Sequence, residues 1–152
     1  MNNKITGVVI TRRMIAVAVF TDLQLSYVES RSLSSEERKA ARTVLEFIGW
    51  LIQQFQFQTV ALALQANSDG TRVGQLVDLV TSKLQSEGIS IWPVTKKALL
   101  GAFAYPALKN QSQLKEVASS IWPHIVDEEH RELELMAAAT GLYVQTERYF
   151  NH

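Results

Sequence analysis

Residues 5–20 read ITGVVITRRMIAVAVF. Two apolar segments, 5–10 and 15–20, are rich in Val and Ile, and a polar segment, 11–14, lies between them. This pattern predicts two antiparallel β-strands joined by a turn. Each apolar segment has six residues, which is too short for the core of a signal peptide or for a membrane span. The beginning of the chain therefore predicts a β-hairpin and no targeting segment.

A third strand and a helix follow the hairpin. A polar turn at 21–24 precedes an alternating segment, 25–33, which is typical of a strand. Ser34 and Glu37 form an S-x-x-E pattern, which predicts a capping box at the start of a helix. Apolar residues at helical spacing continue this helix to about residue 54.

The second half of the chain alternates between strands and helices. Thr59–Leu64, TVALAL, is nearly all apolar, which is typical of a central strand buried on both faces. Residues 67–70 predict a loop. The remaining predicted elements are a helix over 73–88, a strand over 89–94, a short helix over 114–121 and a last helix that begins near Asp127.

The predicted order of elements is β-β-β-α-β-α-β-α-α. Three sequential strands followed by alternating helices and strands predict an α/β fold with one five-stranded mixed sheet and helices on its faces. Strands one to three are expected to be antiparallel, and Thr59–Leu64 is expected in the middle of the sheet. No linker or repeat interrupts the pattern, so residues 1–152 are predicted to form a single domain.

Composition narrows the classes of function. The 152 residues include 15 Lys and Arg and 15 Asp and Glu, so the formal net charge is zero. Proteins that bind nucleic acid over a large surface are usually basic, which leaves only a local basic patch for such binding. The chain has no cysteine, which excludes disulfides, thiolate metal sites and cysteine nucleophiles and suits a cytoplasmic location.

Three segments resemble the RuvC family of Holliday-junction resolvases, which have the ribonuclease-H-like fold. Residues 5–20 resemble the family's first hairpin, which usually contains I-x-G-I-D-P-G. The tripeptide at 73–75 resembles the L-G-Q that begins the helix after strand four. Residues 92–101, WPVTKKALLG, resemble a stretch that ends in V-K-x-x-V-x-G, and a polar loop and helix follow, as in the family. The resemblance implies a ribonuclease-H-like fold over most of the chain.

The resemblance also implies a metal site that this sequence lacks. Nucleases of this fold use two Mg²⁺ ions held by an Asp on strand one, a Glu at the end of strand four and a D-x-x-D pair on the last helix. Here Val9 stands at the Asp position, and Leu64 or Gln65 stands at the Glu position. His130 and Leu133 stand at the paired positions. The resemblance therefore predicts a non-catalytic domain without a metal or other cofactor.

The alternative is a Mg²⁺-dependent, structure-selective endonuclease that uses displaced acids. Glu129 and Glu132 have the i, i+3 spacing of the family's pair but are shifted by one residue, and Asp127 lies nearby. Asp22 and Asp69 are further acids outside this helix. Acids at a helix start also stabilise the helix dipole, so the same residues are typical of a solvated helix end.

Basic residues near strand ends are the candidate nucleic-acid ligands. Lys96 and Lys97 follow strand five directly, and the resemblance places Lys96 near the path of the nucleic acid. Arg12, Arg13 and Arg72 lie in predicted loops at or near strand ends. These five residues predict weak, electrostatic binding of nucleic acid, with ordinary solvated cations as the alternative.

Other residues give weaker indications. The histidines, His124, His130 and His152, lack the spacing of a metal site. The three tryptophans lie in or beside apolar segments, which is typical of a core or an interface. A homodimer or a complex with a protein partner is expected from the following residues, which leave apolar surface: Trp50, Phe55, Phe57, Tyr149 and Phe150.

Overall fold

The computed structural model describes residues 4–64, 71–95, 97–98 and 131–150, and the side chains of 131–132 and 148–150 lie outside this description. The strands are β1 (Lys4–Ile10), β2 (Met14–Thr21), β3 (Gln24–Ser32), β4 (Thr59–Leu64) and β5 (Ser90–Thr95). The helices are α1 (Glu37–Phe55), α2 (Arg72–Ser86) and α3 (Arg131–Phe150).

The strands form one mixed sheet in the order β3-β2-β1-β4-β5. β2 is antiparallel to β1 and to β3, whereas β1, β4 and β5 run parallel. The predicted five-stranded mixed sheet is confirmed. The position of Thr59–Leu64 needs a correction, because this strand lies inside the sheet but β1 is at its centre. β1 takes that place because it pairs with its hairpin partner on one side and with β4 on the other.

Both faces of β1 are buried, which explains its nearly continuous apolar sequence. Because side chains alternate along a strand, Ile5 and Val9 pack with α3, while Val8 and Ile10 pack with α1 and α2. The same alternation divides the neighbouring strands between the two layers. The core therefore consists of two apolar layers, one on each side of the sheet.

The helix α3 lies directly on β1 at Gly7. A Cβ atom at this position would be 2.0 Å from the carbonyl oxygen of Ala137 and 2.8 Å from the amide nitrogen of Gly141. Gly141 in turn packs against the ring of Phe20, where a Cβ atom would be 2.9 Å from the ring carbon Cε2. Glycine at both positions brings the helix axis close to the sheet.

The predicted capping box does not form at the start of α1. The helix begins at Glu37 with Glu36 as its N-cap, and no side chain caps it. The Ser34 hydroxyl instead accepts a hydrogen bond from the Glu36 amide at 3.1 Å. The Ser34 carbonyl accepts a hydrogen bond from Arg72, which holds this residue outside the helix.

The other predicted elements agree with the structure or lie outside it. The turn between β2 and β3 is formed by Asp22 and Leu23, with Asp22 in the left-handed region at φ 55°. The predicted loop at 67–70, the helix at 114–121 and the start of the last helix near Asp127 lie outside the described residues. Pro93 lies in β5, an edge of the described sheet. In the described part of the chain, no helix combines the length and apolar character needed to cross a membrane.

Candidate functional site

Four strands end at one edge of the sheet, which we call the carboxyl edge. The parallel strands β1, β4 and β5 end there at Ile10, Leu64 and Thr95. β3 also ends there, at Ser32, because it is antiparallel to β2 and therefore runs in the direction of β1. In open α/β sheets, ligands bind beyond the carboxyl ends of the strands. The predicted site residues follow these strand ends in the sequence.

The α3 side of the carboxyl edge is filled by apolar side chains. Val9, at the position where the resemblance expects an aspartate, is 4% exposed. It belongs to a cluster with Ala61 of β4, Val94 of β5 and Leu135 of α3, and Ala63 packs against the same cluster. Apolar groups thus occupy the space between the ends of these three strands and α3.

Of the two residues that could stand at the position of the strand-four glutamate, Leu64 and Gln65, the structure describes the first. Leu64 packs with the α1 and α2 layer, on the opposite face of the sheet from Val9. It therefore does not face the space in which an acid would meet α3. Gln65 lies outside the described residues.

The displaced acids are not brought together in the described part of the chain. The Gln145 side-chain amide donates a hydrogen bond to the Asp22 carbonyl, and Asp22 lies beside the start of β1, at the edge opposite the carboxyl edge. β1 has seven residues, so about 20 Å separates Asp22 from the carboxyl edge. The backbone of Glu132 lies in the first turn of α3, towards the carboxyl edge, since Gln145 reaches the other end. Asp22 is therefore too distant to share a metal ion with it.

The remaining candidate ligands lie outside the description. Among the residues that the structure describes, no three His, Cys, Asp or Glu side chains form a metal-binding group. Of the acids of the last helix whose side chains are described, Glu134 is buried, with 3% exposure. The following candidates fall on residues that are not described: Asp69, His124, Asp127, Glu129, His130 and His152.

Basic residues extend from the carboxyl edge. Arg12 and Arg13 are exposed in the β1–β2 turn, which the Thr11 hydroxyl closes by accepting a hydrogen bond from the Met14 amide at 3.1 Å. Lys97 is exposed just after β5. The hydroxyl of Thr95 accepts a hydrogen bond from the Ala98 amide at 3.1 Å, which fixes the backbone around Lys97. Lys96 lies outside the described residues.

Arg72 has a different environment from the one predicted. It is the first residue of α2 rather than a loop residue, and it is half-buried. Its guanidinium donates hydrogen bonds to the carbonyl oxygens of Ser34 and of Ser35, the latter at 3.0 Å. Its Nε is shielded from solvent and has no hydrogen-bond partner in the described structure. Arg72 therefore fastens the start of α2 to the segment that leads into α1.

The structure brings Arg12, Arg13 and Arg72 together around one cleft, which we call the arginine cleft. Its volume is about 710 Å³. The remaining lining residues are Met14, Ser32, Leu33 and Ser35. Sequence reasoning identified the arginines separately and missed the serines. Their position just after β3, at the edge shared with the β1–β2 turn, is the signal that points to them.

Two of the three tryptophans are less buried than predicted for core residues. Trp50 is 39% exposed and Trp92 is 38% exposed. Trp50 lies near the rings of Tyr27, Phe47 and Phe55, with the Tyr27 centroid at 5.9 Å. Phe57, which was expected to leave apolar surface, is only 3% exposed, because it packs in the layer formed with α1 and α2.

Comparison with known proteins identifies the fold. No protein-family model and no curated protein sequence matches the chain. Thermus thermophilus RuvC in complex with a Holliday junction substrate is 16% identical, with a TM-score of 0.74 over 97% of this chain and 96% of that chain. The yeast mitochondrial Holliday junction resolvase is 9% identical, with a TM-score of 0.70 over 98% and 84%. The fowlpox virus resolvase is 11% identical, with a TM-score of 0.60 over 94% and 99%. The chain therefore has the ribonuclease-H-like fold of RuvC and other Holliday-junction resolvases.

Proposed function

We propose that this chain is a cytoplasmic, non-catalytic module that binds nucleic acid weakly through the carboxyl edge and does not cleave it. The observation that carries this proposal is the burial of Val9 among apolar side chains between β1 and α3. The likeness to resolvases that were solved with Holliday-junction DNA supports nucleic acid as the ligand.

Metal-dependent cleavage needs groups that this part of the molecule does not supply. Two Mg²⁺ ions about 4 Å apart activate a water molecule and stabilise the leaving oxygen. Mg²⁺ binds oxygen ligands, and carboxylates are the usual protein source. The side chains of Val9, Ala61, Ala63 and Val94 carry no oxygen. An acidic helix alone leaves both ions without ligands from the sheet.

Weak binding follows from the distribution of charge. The net charge is zero, so the molecule as a whole does not attract a polyanion. Arg12, Arg13 and Lys97 are exposed at one edge, and none of them forms an ion pair with a carboxylate in the described part of the chain. Such a local cluster binds phosphates by releasing counterions, without reading sequence.

The test is a cleavage assay with the full chain. Branched DNA, duplex DNA and RNA–DNA hybrid are incubated with wild type and with Glu132→Ala in Mg²⁺ and in Mn²⁺. We expect no cleavage of any substrate by either protein. Metal-dependent cleavage by wild type that disappears in Glu132→Ala would contradict the proposal and support the endonuclease with displaced acids.

A binding assay tests the other half of the proposal. Branched and single-stranded DNA are titrated at low salt, with fluorescence anisotropy as the measurement. We expect weak binding to both. If no binding occurs even at low salt, a protein partner replaces nucleic acid as the best candidate.

A further inference from the structure

The arginine cleft has an unusual balance of charge. Three of its seven lining residues are arginines, Arg12, Arg13 and Arg72, and none is an aspartate or glutamate. No ion pair joins any of these arginines to a carboxylate among the described residues. The other cations of α1 and α2 include pairs with acids, such as Lys39 with Glu36 at 3.5 Å. The cleft therefore concentrates positive charge that its own walls do not neutralise.

Arg72 gives this cleft a fixed positive charge. The hydrogen bonds to the Ser34 and Ser35 carbonyls hold the guanidinium in one place. The two carbonyls accept hydrogen bonds from its terminal nitrogens, but they leave Nε without a partner and the net charge in a half-buried position, which is unfavourable without an anion. Arg72 is also the first residue of the 15-residue helix α2, whose positive dipole end lies at the cleft. An anion in the cleft would offset both contributions.

Arg12 and Arg13 are placed to act as ligands. The Arg13 carbonyl accepts a hydrogen bond from the Leu33 amide at 2.7 Å, which joins the β1–β2 turn to the end of β3. The backbone of both arginines is thus held in place, while their side chains are exposed at the mouth of the cleft. Binding an anion would require ordering of only these two side chains.

We propose that the arginine cleft binds a phosphate group, with Arg12 and Arg13 as ligands and Arg72 as the fixed charge. Guanidinium groups bind phosphate oxygens through paired, charge-assisted hydrogen bonds. The volume of about 710 Å³ exceeds the need of phosphate alone and lies within the range of about 300–1,000 Å³ that is usual for small-molecule sites. The cleft therefore has room for a phosphomonoester together with an attached group of the size of a sugar. The source that we favour, the phosphorylated end of a nucleic-acid strand, rests on the proposed function.

Inorganic phosphate is the first probe. Binding to the full chain is measured by isothermal titration calorimetry at constant ionic strength, with sodium chloride as the reference salt. The variants are Arg12→Ala/Arg13→Ala and the matched control Lys39→Ala/Arg42→Ala, which removes the same charge from exposed positions of α1 outside the cleft. Circular dichroism verifies that each variant is folded.

We expect phosphate to bind wild type and the control equally, and to bind Arg12→Ala/Arg13→Ala at least about tenfold more weakly, since two charge-assisted donors are lost. Equal binding to wild type and Arg12→Ala/Arg13→Ala would overturn the proposal. The proposal would also be overturned if chloride gave the same binding signal as phosphate, or if phosphate did not bind to wild type.

A pair of oligonucleotides identifies the source of the phosphate. Two single strands of the same sequence, one with a 5′-phosphate and one with a 5′-hydroxyl, are compared by anisotropy. A preference of wild type for the 5′-phosphate that is lost in Arg12→Ala/Arg13→Ala supports a strand end. Binding of both strands without preference supports a small phosphate ester if inorganic phosphate binds at the cleft. Absence of binding of either strand contradicts the proposed function, whereas the calorimetry alone decides the phosphate site.

Discussion

Gly7 is the residue at which the distance between β1 and α3 is set. A side chain there would have to occupy space that the Ala137 carbonyl already fills, since the added Cβ atom would be only 2.0 Å away. The obstacle is helix backbone rather than a flexible side chain, so the whole helix would have to shift. This position therefore controls the packing of the α3 layer.

Gly7→Ala is expected to destabilise the protein by about 3 kcal/mol, the upper part of the usual range for overpacking a core. The matched control is Gly49→Ala in α1, where the nearest atom to an added Cβ is the Lys83 Cε at 4.0 Å. Alanine in a helix interior is expected to stabilise the protein by about 0.5–1 kcal/mol relative to glycine. Urea unfolding measures both changes. Effects of the same sign would contradict this account of Gly7.

Val9 and Arg72 show what could be predicted residue by residue. The sequence around Val9 was sufficient to place an apolar side chain on the first strand of a hairpin, because alternation and hairpin pairing are local. The role of Arg72 could not be predicted, since its partners Ser34 and Ser35 are 38 and 37 residues away in the sequence. The arginine cleft depends on this long-range contact and was therefore visible only as three separate cations.

The edge strand β3 packs against α1 through aromatic side chains and a cation–π contact. The Tyr27 ring on β3 lies 5.0 Å from that of Phe55 on α1, and Arg31 lies 4.7 Å above the ring of Phe47. The Tyr27 hydroxyl donates a hydrogen bond to the Glu29 carboxylate on the same strand. Burial, followed by this hydrogen bond, raises the pKa of Tyr27 from 10.0 to about 12.

The raised pKa of Tyr27 predicts a pH dependence of stability. The folded protein favours the neutral phenol, so this contribution is fully present below pH 10 and is lost as the pH rises towards about 12. The free energy of unfolding of wild type should therefore fall more steeply than that of Tyr27→Phe over this window. Denaturation at several alkaline pH values measures the two slopes. Parallel slopes would show that Tyr27 titrates alike in the folded and unfolded chains.

Elements with a strong local pattern were predicted well. The hairpin, the buried strand Thr59–Leu64 and the helix that follows it all have their observed type. The N-cap of α1 was predicted two residues too early, at Ser34 instead of Glu36, because Arg72 binds the carbonyls of Ser34 and Ser35 and thereby competes with helix formation there. The centre of the sheet was also misplaced, since strand order depends on pairing between distant segments rather than on local composition.

For the whole molecule, binding to DNA should depend only mildly on salt. Log affinity falls by about 0.9 per phosphate contact for each unit of log salt concentration. If Lys96, Lys97 and one or two arginines take part, the slope for wild type is expected to be roughly −2 to −4. Lys96→Ala/Lys97→Ala should flatten the slope by about two units and leave sequence preference unchanged.

Anisotropy at several salt concentrations measures these slopes. Lys39→Ala/Arg42→Ala serves again as the control of equal charge and should retain the wild-type slope. Exposed lysines rarely contribute more than about 0.5 kcal/mol to stability, so the variants should fold normally. A lysine double variant that binds as tightly as wild type would show that these residues are ordinary solvated cations.

Pro93 affects how copies of this protein behave at high concentration. A strand at the border of a sheet offers free amide groups to any other strand, which is a common first step in aggregation. Proline has no amide hydrogen, and within sheets it is confined to edge strands and bulges. In β5 it removes a donor from the outward side of the strand while leaving the parallel pairing with β4 in place. Pro93, which is compatible with an edge strand, therefore hinders the addition of a further strand to β5. We expect this to reduce aggregation of the protein at high concentration.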